Sequence, residues 1–268
     1  MNPLRVSEDI KMRLVIKIGT STLSHPTGHP NIRHIENFCK VVSDIKNSGN
    51  EVIIVSSGAV SMGRGKAGVE NSGNSLAMKQ ALAAIGQSEL MYTYDKYFGE
   101  YNHTVAQLLL TASSFIDAQQ YENFISTMNK LLELNVIPII NENDTVATQE
   151  LKIGDNDTLS ARVAVSVSAD LLILLTDIDG LFTADPNKDP NATLLTQVNE
   201  ITPEIEAIAG GASSKVGTGG MATKIEAAKI AMEDGCDMVI ANGKNPAVLY
   251  DILEGKQVGT KFTGEKRN

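Results

Sequence analysis

The segment Leu171-Leu172-Ile173-Leu174-Leu175-Thr176-Asp177-Ile178-Asp179-Gly180 joins an unbroken apolar run to a polar turn. An apolar run of this length without polar alternation is typical of a strand that is buried on both faces of a parallel sheet. The polar residues begin where the strand would end, and parallel α/β sheets bind ligands at the carboxyl ends of their strands. The segment therefore predicts the kind of sheet and the edge at which chemistry would occur.

The same pattern recurs along the chain, with helical spacing of apolar residues between the runs. Strands are predicted at 14–16, 52–55, 104–110, 136–140, 171–175 and 238–240. Helices are predicted at 32–47, 75–98, 122–134, 157–168, 224–233 and 246–253. Buried strands that alternate with helices predict an α/β fold, an αβα sandwich around a mostly parallel central sheet.

The length of 268 residues is sufficient for one large α/β domain. The first residues are polar and charged and contain no secretory apolar core, and the first strand pattern follows directly after Met12. We therefore expect an N-terminal tail at residues 1–12 and a single domain at residues 13–268.

The charge balance restricts the partners of the protein. Lys and Arg total 23 against 32 Asp and Glu, and the net charge is −9. An acidic chain without a basic stretch argues against a nucleic-acid or membrane-surface partner. No apolar run approaches the roughly 20 residues needed to span a bilayer. The two cysteines, Cys39 and Cys236, are far apart in sequence, which is typical of free thiols in a reducing compartment and predicts a cytoplasmic protein.

Polar residues follow most of the predicted strands. They are Lys17 with Gly19-Thr20-Ser21, Ser56-Ser57-Gly58-Ala59, Asn141-Glu142-Asn143-Asp144, Thr176-Asp177-Ile178-Asp179-Gly180 and Asn242-Gly243. A glycine lets backbone N–H groups approach a phosphate, and a lysine supplies a compact cation. Asp144 is suited to hold an ammonium group, and the neighbouring amides are suited to hold carboxylate oxygens.

A glycine-rich segment, Gly217-Thr218-Gly219-Gly220-Met221-Ala222-Thr223-Lys224, ends in a lysine at a predicted helix start. It follows the logic of a phosphate-binding loop without matching the Walker sequence. Because glycines cost conformational entropy, a phosphate cradle explains the segment better than a simple turn does.

Two other patterns do not support a site. His25, His29 and His34 lie near Cys39, but their spacing fits no standard zinc pattern, and no protein-bound metal is expected. The segment 63–68 matches G-x-G-x-x-G, yet it lies several residues beyond its strand instead of in the first turn after it.

Six segments, in this order, resemble the amino acid kinase family. They are K-I-G-T-S at 17–21, S-S-G-A-V at 56–60, N-E-N-D-T-V at 141–146, G-D-N-D-T-L-S-A at 154–161, L-T-D-I-D-G-L-F-T-A-D-P at 175–186 and G-T-G-G-M-A-T-K at 217–224. The resemblance covers the chain from about Arg13 to the C-terminus. No one segment is decisive, but the six together are highly specific.

The resemblance implies a role for each matched residue. Lys17 and Lys224 would flank the transferring phosphoryl group, and Asp157 would orient the two lysines. The residues implied to contact ATP are Lys17, Thr176, Asp177, Thr218, Gly219, Gly220, Met221, Ala222, Thr223 and Lys224. The residues implied to hold the acceptor are Ser57, Asp144 and Asn156.

The segments resemble one branch of the family in particular. That resemblance implies phosphorylation of the side-chain carboxylate of L-glutamate by ATP with Mg²⁺. The product would be glutamyl 5-phosphate, the first intermediate of proline synthesis, with proline as a feedback inhibitor. We also expect a homo-oligomer. Many members of the family carry a further C-terminal PUA-type domain, and because the chain ends shortly after Phe262, we expect none here.

Two alternatives stay open at this point. Another acceptor of the same family would be aspartate, N-acetylglutamate, carbamate or a nucleoside monophosphate, although Asp144 favours an amino acid with a free ammonium group. A protein of a different class would be a catalytically silent sensor of nucleotide or amino acid. The presence of both lysines and all the loops argues against a sensor.

Overall fold

The computed structural model describes residues 12–69, 75–147, 155–186, 188–210 and 220–264. Its strands are β1 (Arg13–Ile18), β2 (Glu51–Ser56), β3 (Val105–Leu110), β4 (Ile137–Glu142), β5 (Leu171–Thr176), β6 (Gln197–Val198), β7 (Asp237–Asn242) and β8 (Thr260–Phe262). Its helices are α1 (Thr20–Leu23), α2 (Ile32–Asn47), α3 (Ala59–Ala67), α4 (Leu76–Gly99), α5 (Ser113–Ile116), α6 (Ala118–Glu133), α7 (Asn156–Ser166), α8 (Pro203–Gly210), α9 (Met221–Glu233) and α10 (Val248–Leu253).

The strands form one sheet in the order β3-β4-β2-β1-β5-β7-β8-β6. All neighbouring pairs are parallel except β7 and β8, which are antiparallel. The predicted fold class, a mostly parallel sheet between helices, is therefore confirmed. Strand β1 lies at the centre, and Lys17 is in register with Val55 of β2 and with Leu174 of β5.

The sheet is buried on both faces, which explains the unbroken apolar runs. In β1, Val15 belongs to the apolar cluster on one face, whereas Leu14 and Ile16 belong to the cluster on the other. Helices α7 and α9 pack on the first face, and α2, α4 and α10 pack on the second. Full burial of an aliphatic side chain contributes about 1.5–3 kcal/mol to stability, so the apolar residues of each strand stabilise the sheet.

Several element boundaries differ from the predictions. Helix α9 begins at Met221 and not at Lys224, because Gly220 is the extended N-cap residue and the three residues before Lys224 complete a first turn. Helix α6 begins at Ala118 and not at residue 122, because Asp117 caps it by accepting a 2.8 Å hydrogen bond from the Gln120 N–H. The two- and three-residue strands β6 and β8 were not predicted, since their patterns are too short to detect.

The G-x-G-x-x-G match at residues 63–68 lies mostly within helix α3. A Cβ on Gly63 would lie 1.9 Å from the carbonyl oxygen of Leu82 in α4, and a Cβ on Gly65 would lie 2.6 Å from the carbonyl carbon of Gly28. These glycines permit close packing of backbone on backbone. The rejection of this segment as a nucleotide loop is consistent with that role.

Within the described ranges, no helix is both long enough and apolar enough to cross a membrane.

Candidate active site

A buried carboxylate joins two lysines at the carboxyl edge of the sheet. Asp157 Oδ1 lies 2.5 Å from Lys17 Nζ, and Asp157 Oδ2 lies 3.0 Å from Lys224 Nζ. The Asp157 side chain is completely inaccessible to solvent, and each lysine side chain is 8% exposed. The shared carboxylate therefore holds the two ammonium groups close to each other.

Three elements position these side chains. Lys17 is the penultimate residue of the central strand, Asp157 lies in the first turn of α7, and Lys224 lies in the first turn of α9. Thr223 Oγ1 lies 3.2 Å from Asp157 Oδ2 and 2.8 Å from the carbonyl oxygen of Gly220, which ties the start of α9 to α7. The partial positive charge at both helix N-termini adds to the field of the lysines and favours an anion.

The charges of the neighbours determine the ionisation of Asp157. Burial alone would raise the pKa of its carboxyl group, but Lys17 and Lys224 outweigh burial and lower that pKa below its ordinary value. Asp157 is therefore ionised at neutral pH and balances one of the two ammonium charges.

Asp155 lies beside Asp157, and the sequence analysis gave no individual role to it although its segment was among the six matched to the family. It is the N-cap residue of α7, and its Oδ1 accepts a 3.2 Å hydrogen bond from the Asp157 N–H. Its Oδ2 is buried and has no hydrogen-bond partner among the residues that the structure describes. Burial, and then the nearby charge of Asp157, raise the pKa of Asp155. The detectable sequence pattern was Asp155-Asn156-Asp157, which has more polar groups than one cap needs.

Ser57 and Asn156, both predicted to hold the acceptor, are in direct contact. Asn156 Nδ2 lies 2.8 Å from Ser57 Oγ, 3.1 Å from the carbonyl oxygen of Ser56 and 3.1 Å from Asn141 Oδ1. The ends of β2 and β4 are thereby joined to the start of α7. Gly58, next to Ser57, has φ of 98° and caps α3, a backbone conformation that favours glycine.

Asp144, the third residue predicted to hold the acceptor, is half-buried in the turn after β4. Asp144 lies three residues after Asn141 in the sequence, and the Asn141 side chain contacts Asn156. The structure thus places all three predicted acceptor residues at the same edge of the sheet.

A buried hydrogen bond supports the strand end that carries Ser57. Ser56 Oγ lies 2.9 Å from the hydroxyl oxygen of Tyr94, on helix α4. Both side chains are completely buried. Tyr94 therefore fixes the end of β2 from outside the polar site.

The residues predicted to contact ATP divide into two groups. Thr176 is buried at the end of β5, where its Oγ1 bonds to the backbone of Ile178, and Asp177 is exposed beside it. Gly220, Met221, Ala222, Thr223 and Lys224 form the cap and first turn of α9. Thr218 and Gly219 lie outside the described residues. Gly19 is also close to the lysines, because a Cβ there would lie 3.9 Å from Lys17 Nζ.

Known structures with similar folds are kinases of several kinds. Carbamate kinase from Giardia lamblia bound to AMP-PNP superposes with a TM-score of 0.65 at 18% identity, covering 96% of this chain and 100% of that one. UMP kinase from Ureaplasma parvum superposes with a TM-score of 0.65 at 15% identity, covering 94% of this chain and 99% of that one. At these identities the likeness establishes the fold alone.

Sequence comparison is more specific. A glutamate 5-kinase from Listeria innocua is 51% identical over 267 residues, which cover 98% of this chain and 97% of the relative. A glutamate 5-kinase from Clostridium perfringens is 49% identical over 258 residues, covering 95% of this chain and 96% of the relative. One from Carboxydothermus hydrogenoformans is 52% identical over 256 residues, which cover 95% of this chain and 68% of that longer relative.

The profile of the amino acid kinase family matches residues 12–242, a span that contains both lysines, Asp157 and the three predicted acceptor residues. The chain belongs to the amino acid kinase family, and within it to the glutamate 5-kinases.

Proposed function

We propose that the chain transfers the γ-phosphoryl group of ATP to the side-chain carboxylate of L-glutamate and so forms glutamyl 5-phosphate, in the first step of proline biosynthesis. The observation that carries this proposal is the pair of buried lysines held on Asp157. The identity of about half of all positions to relatives named glutamate 5-kinase supports the choice of acceptor.

The central physical problem of this reaction is charge, since an anionic carboxylate must approach an anionic phosphate. Two unit charges about 4 Å apart repel by about 4 kcal/mol at an effective dielectric constant of 20. Catalysis then depends on in-line positioning and on cations where charge develops. The acceptor is already ionised at neutral pH, so the reaction needs no general base.

Lys17 and Lys224 are the groups best placed to stabilise that charge. Both are largely buried, so their attraction to a phosphoryl oxygen is weakly screened by water. We propose that Asp157 positions the two lysines, because each of its carboxylate oxygens contacts one of them. A preorganised arrangement of this kind acts on the transition state without a reorganisation cost.

For ATP, we propose contacts from Lys17, Thr176, Asp177 and the segment from Thr218 to Lys224. The support is the position of the described members at the carboxyl edge of the sheet and at the N-terminus of α9.

Mg²⁺ would be held chiefly by the phosphates of ATP, a common mode for this ion. The described residues contain no group of three or more His, Cys, Asp or Glu that could hold a metal ion. When bound, Mg²⁺ supplies positive charge that neutralises the phosphates.

For glutamate, we propose that Ser57 and Asn156 bind carboxylate oxygens and that Asp144 binds the ammonium group. We add Asp155 as a second candidate for the ammonium group, because its buried Oδ2 has no partner in the described part of the chain. A positive charge at that oxygen would relieve the cost of burying the carboxylate.

We further propose that proline inhibits the enzyme by feedback, that the chain forms a homo-oligomer and that it works in the cytoplasm. Helix α4 supports the oligomer, since exposed Met78, Ile85 and Tyr92 recur every seven residues along it. Two buried cysteines, both free, support a reducing compartment. We also propose that residues 13–268 form one catalytic domain.

The test is a substrate screen in which hydroxylamine traps the acyl phosphate product. Glutamate should give a hydroxamate in the presence of ATP and Mg²⁺, whereas aspartate, N-acetylglutamate and carbamate should not be comparably active. A preference for one of those three acceptors would reject the glutamate assignment. Binding of nucleotide and glutamate without turnover would instead support the sensor.

A further inference from the structure

A cationic groove lies apart from the candidate active site. It has a volume of about 670 Å³, and its lining includes Arg33, Glu36, Asn37, Lys40 and Lys244. Most of these residues lie on helix α2, which packs on the face of the sheet opposite to α7 and α9. None of the proposed catalytic or acceptor-binding residues contributes to the lining.

The charges in this groove are unusual for the molecule. Three cations, Arg33, Lys40 and Lys244, face one lining carboxylate, Glu36, in a chain of net charge −9. Within the described ranges, none of the three cations forms an ion pair. In contrast, the surface lysines with ion pairs to carboxylates include Lys66, Lys130, Lys188, Lys229, Lys256 and Lys261. Unneutralised like charges that share a groove repel each other and favour binding of an anion.

The spacing of the cations indicates the size of that anion. Arg33 and Lys40 are seven residues apart on α2, which is about 10 Å along a helix axis. Asn37 lies on the same helix face between them and adds an amide donor. A single orthophosphate is short compared with this distance, whereas a chain of two or three phosphates can reach both cations and Lys244.

We propose that this groove, defined by Arg33, Lys40 and Lys244, is a binding site for a small anion that carries two or more linked phosphate groups. Its polar lining suits such a ligand better than an apolar one. The site is additional to the one at which Lys17 and Lys224 act.

The groove also connects to the edge of the sheet that carries the proposed nucleotide contacts. The backbone N–H of Lys244 donates to Asn242 Oδ1 at 3.0 Å, and Asn242 Nδ2 donates to Asp179 Oδ1 at 2.7 Å. The N–H of the intervening Gly243 donates to the carbonyl oxygen of Thr176 at 2.7 Å. An anion that orders Lys244 would therefore also restrain the segment that contains Thr176 and Asp177.

The test is calorimetric titration of the full chain with inorganic tripolyphosphate and, as a matched probe, orthophosphate. Because the candidate active site also attracts phosphates, the titration is repeated with Lys17→Ala and with the groove variant Lys40→Gln/Lys244→Gln. We expect a binding component that persists in Lys17→Ala and is weakened at least about tenfold in the groove variant. Orthophosphate should bind the same component more weakly, and added salt should weaken both.

The control is Lys79→Gln, which removes an exposed lysine of α4 outside the groove and should leave binding unchanged. If the double variant fails to fold, the single variant Arg33→Gln makes the same test. Equal affinity in wild type and groove variant, or loss of all binding in Lys17→Ala, would overturn the proposal. Orthophosphate binding as tight as tripolyphosphate binding would overturn the ligand class.

Discussion

Lys17 Nζ lies 2.5 Å from Asp157 Oδ1, so a residue at the end of the first strand is paired with one at the start of the seventh helix. The parallel sheet produces this contact, because the carboxyl end of β1 and the N-terminus of α7 both lie at the same edge. Asp157 also holds Lys224 at 3.0 Å through its other oxygen. One carboxylate therefore determines the position of both cations, and substitutions of the three residues should separate charge stabilisation from positioning.

Removal of either lysine should lower kcat more than it changes KM. Lys17→Ala and Lys224→Ala should each lower kcat by roughly 10²–10³, the scale for loss of one preorganised electrostatic group. Arg at either position should restore little activity, because a planar guanidinium does not replace a compact ammonium in a buried site. Steady-state kinetics with glutamate and ATP measures both parameters.

Lys130→Ala is the matched control for the lysine variants. Lys130 pairs with Glu133 on the surface, where both side chains are more than half exposed. Surface pairs contribute about 0–1 kcal/mol, and this variant should keep normal kinetics. Near-normal kcat in both Lys17→Ala and Lys224→Ala would show that the assigned phosphoryl-transfer roles are wrong.

The stability of the fold should depend on the charge of Asp157 in acid. Its pKa is lowered from the ordinary value of 3.8, since the two lysines outweigh burial, which acts in the raising direction. A lowered folded-state pKa contributes stability that is present above pH 3.8 and is lost as the pH falls through the folded-state value. Asp155 has the opposite effect on stability. Burial and the charge of Asp157 raise its pKa, so its contribution to the free energy of unfolding is lost as the pH rises from 3.8 through the pKa of the folded state.

Asp157→Asn should remove the stabilising contribution of Asp157, because the carboxylate charge that both buried ammonium groups contact is lost. We expect a loss of about 3–5 kcal/mol in the free energy of unfolding at pH 7, the scale for breaking a buried ion pair. Urea unfolding at several pH values between 3 and 7 measures the difference from wild type, which should shrink towards the acid end. A difference that is constant over this range would contradict the ionised, lysine-paired state of Asp157.

The two candidate carboxylates for the substrate ammonium group can be separated by kinetics. Neutralising the correct one, by Asp144→Asn or Asp155→Asn, should raise KM for glutamate more than it lowers kcat, because the ammonium group is remote from the reacting carboxylate. Wild type should also prefer glutamate to N-acetylglutamate, since a blocked amine leaves a carboxylate unpaired at a cost of about 1–3 kcal/mol. Equal turnover of the two substrates would remove the basis for either assignment.

The sequence was sufficient for the sheet but not for all of the site. The buried strands were predictable because a strand covered on both faces must be apolar throughout. Parallel sheets bind ligands at the carboxyl ends of their strands, which placed Lys17 and Asn141 at the edge that carries the site. Contacts between distant elements carried no local pattern. The partnerless oxygen of Asp155 and the bond between Tyr94 and Ser56 depend on how helices α7 and α4 pack. Whether the cations of the groove meet a carboxylate likewise depends on how surface side chains come together in the folded chain.

That buried bond leads to a prediction about a residue outside the polar site. In Tyr94→Phe, Ser56 Oγ keeps its 3.1 Å contact with the carbonyl oxygen of Ser57, so the loss of stability should be only about 0.5–1.5 kcal/mol. The end of β2, however, loses its tie to α4, and Ser57 and Asn156 both depend on that strand end. We therefore expect an increase of several-fold in KM for glutamate with a smaller change in kcat and none in KM for ATP.

Tyr250→Phe is the matched control, since the Tyr250 hydroxyl donates at 2.8 Å to Asp44 on the outer side of α2, away from Ser57. It removes the same atom and should leave KM for glutamate unchanged. A merely structural role for Tyr94 would lower the free energy of unfolding and leave the kinetics of the folded fraction normal. Normal KM in Tyr94→Phe, measured at a temperature at which the variant is fully folded, would exclude Tyr94 from positioning the acceptor. An increase shared equally by both tyrosine variants would point to a general loosening of the fold instead.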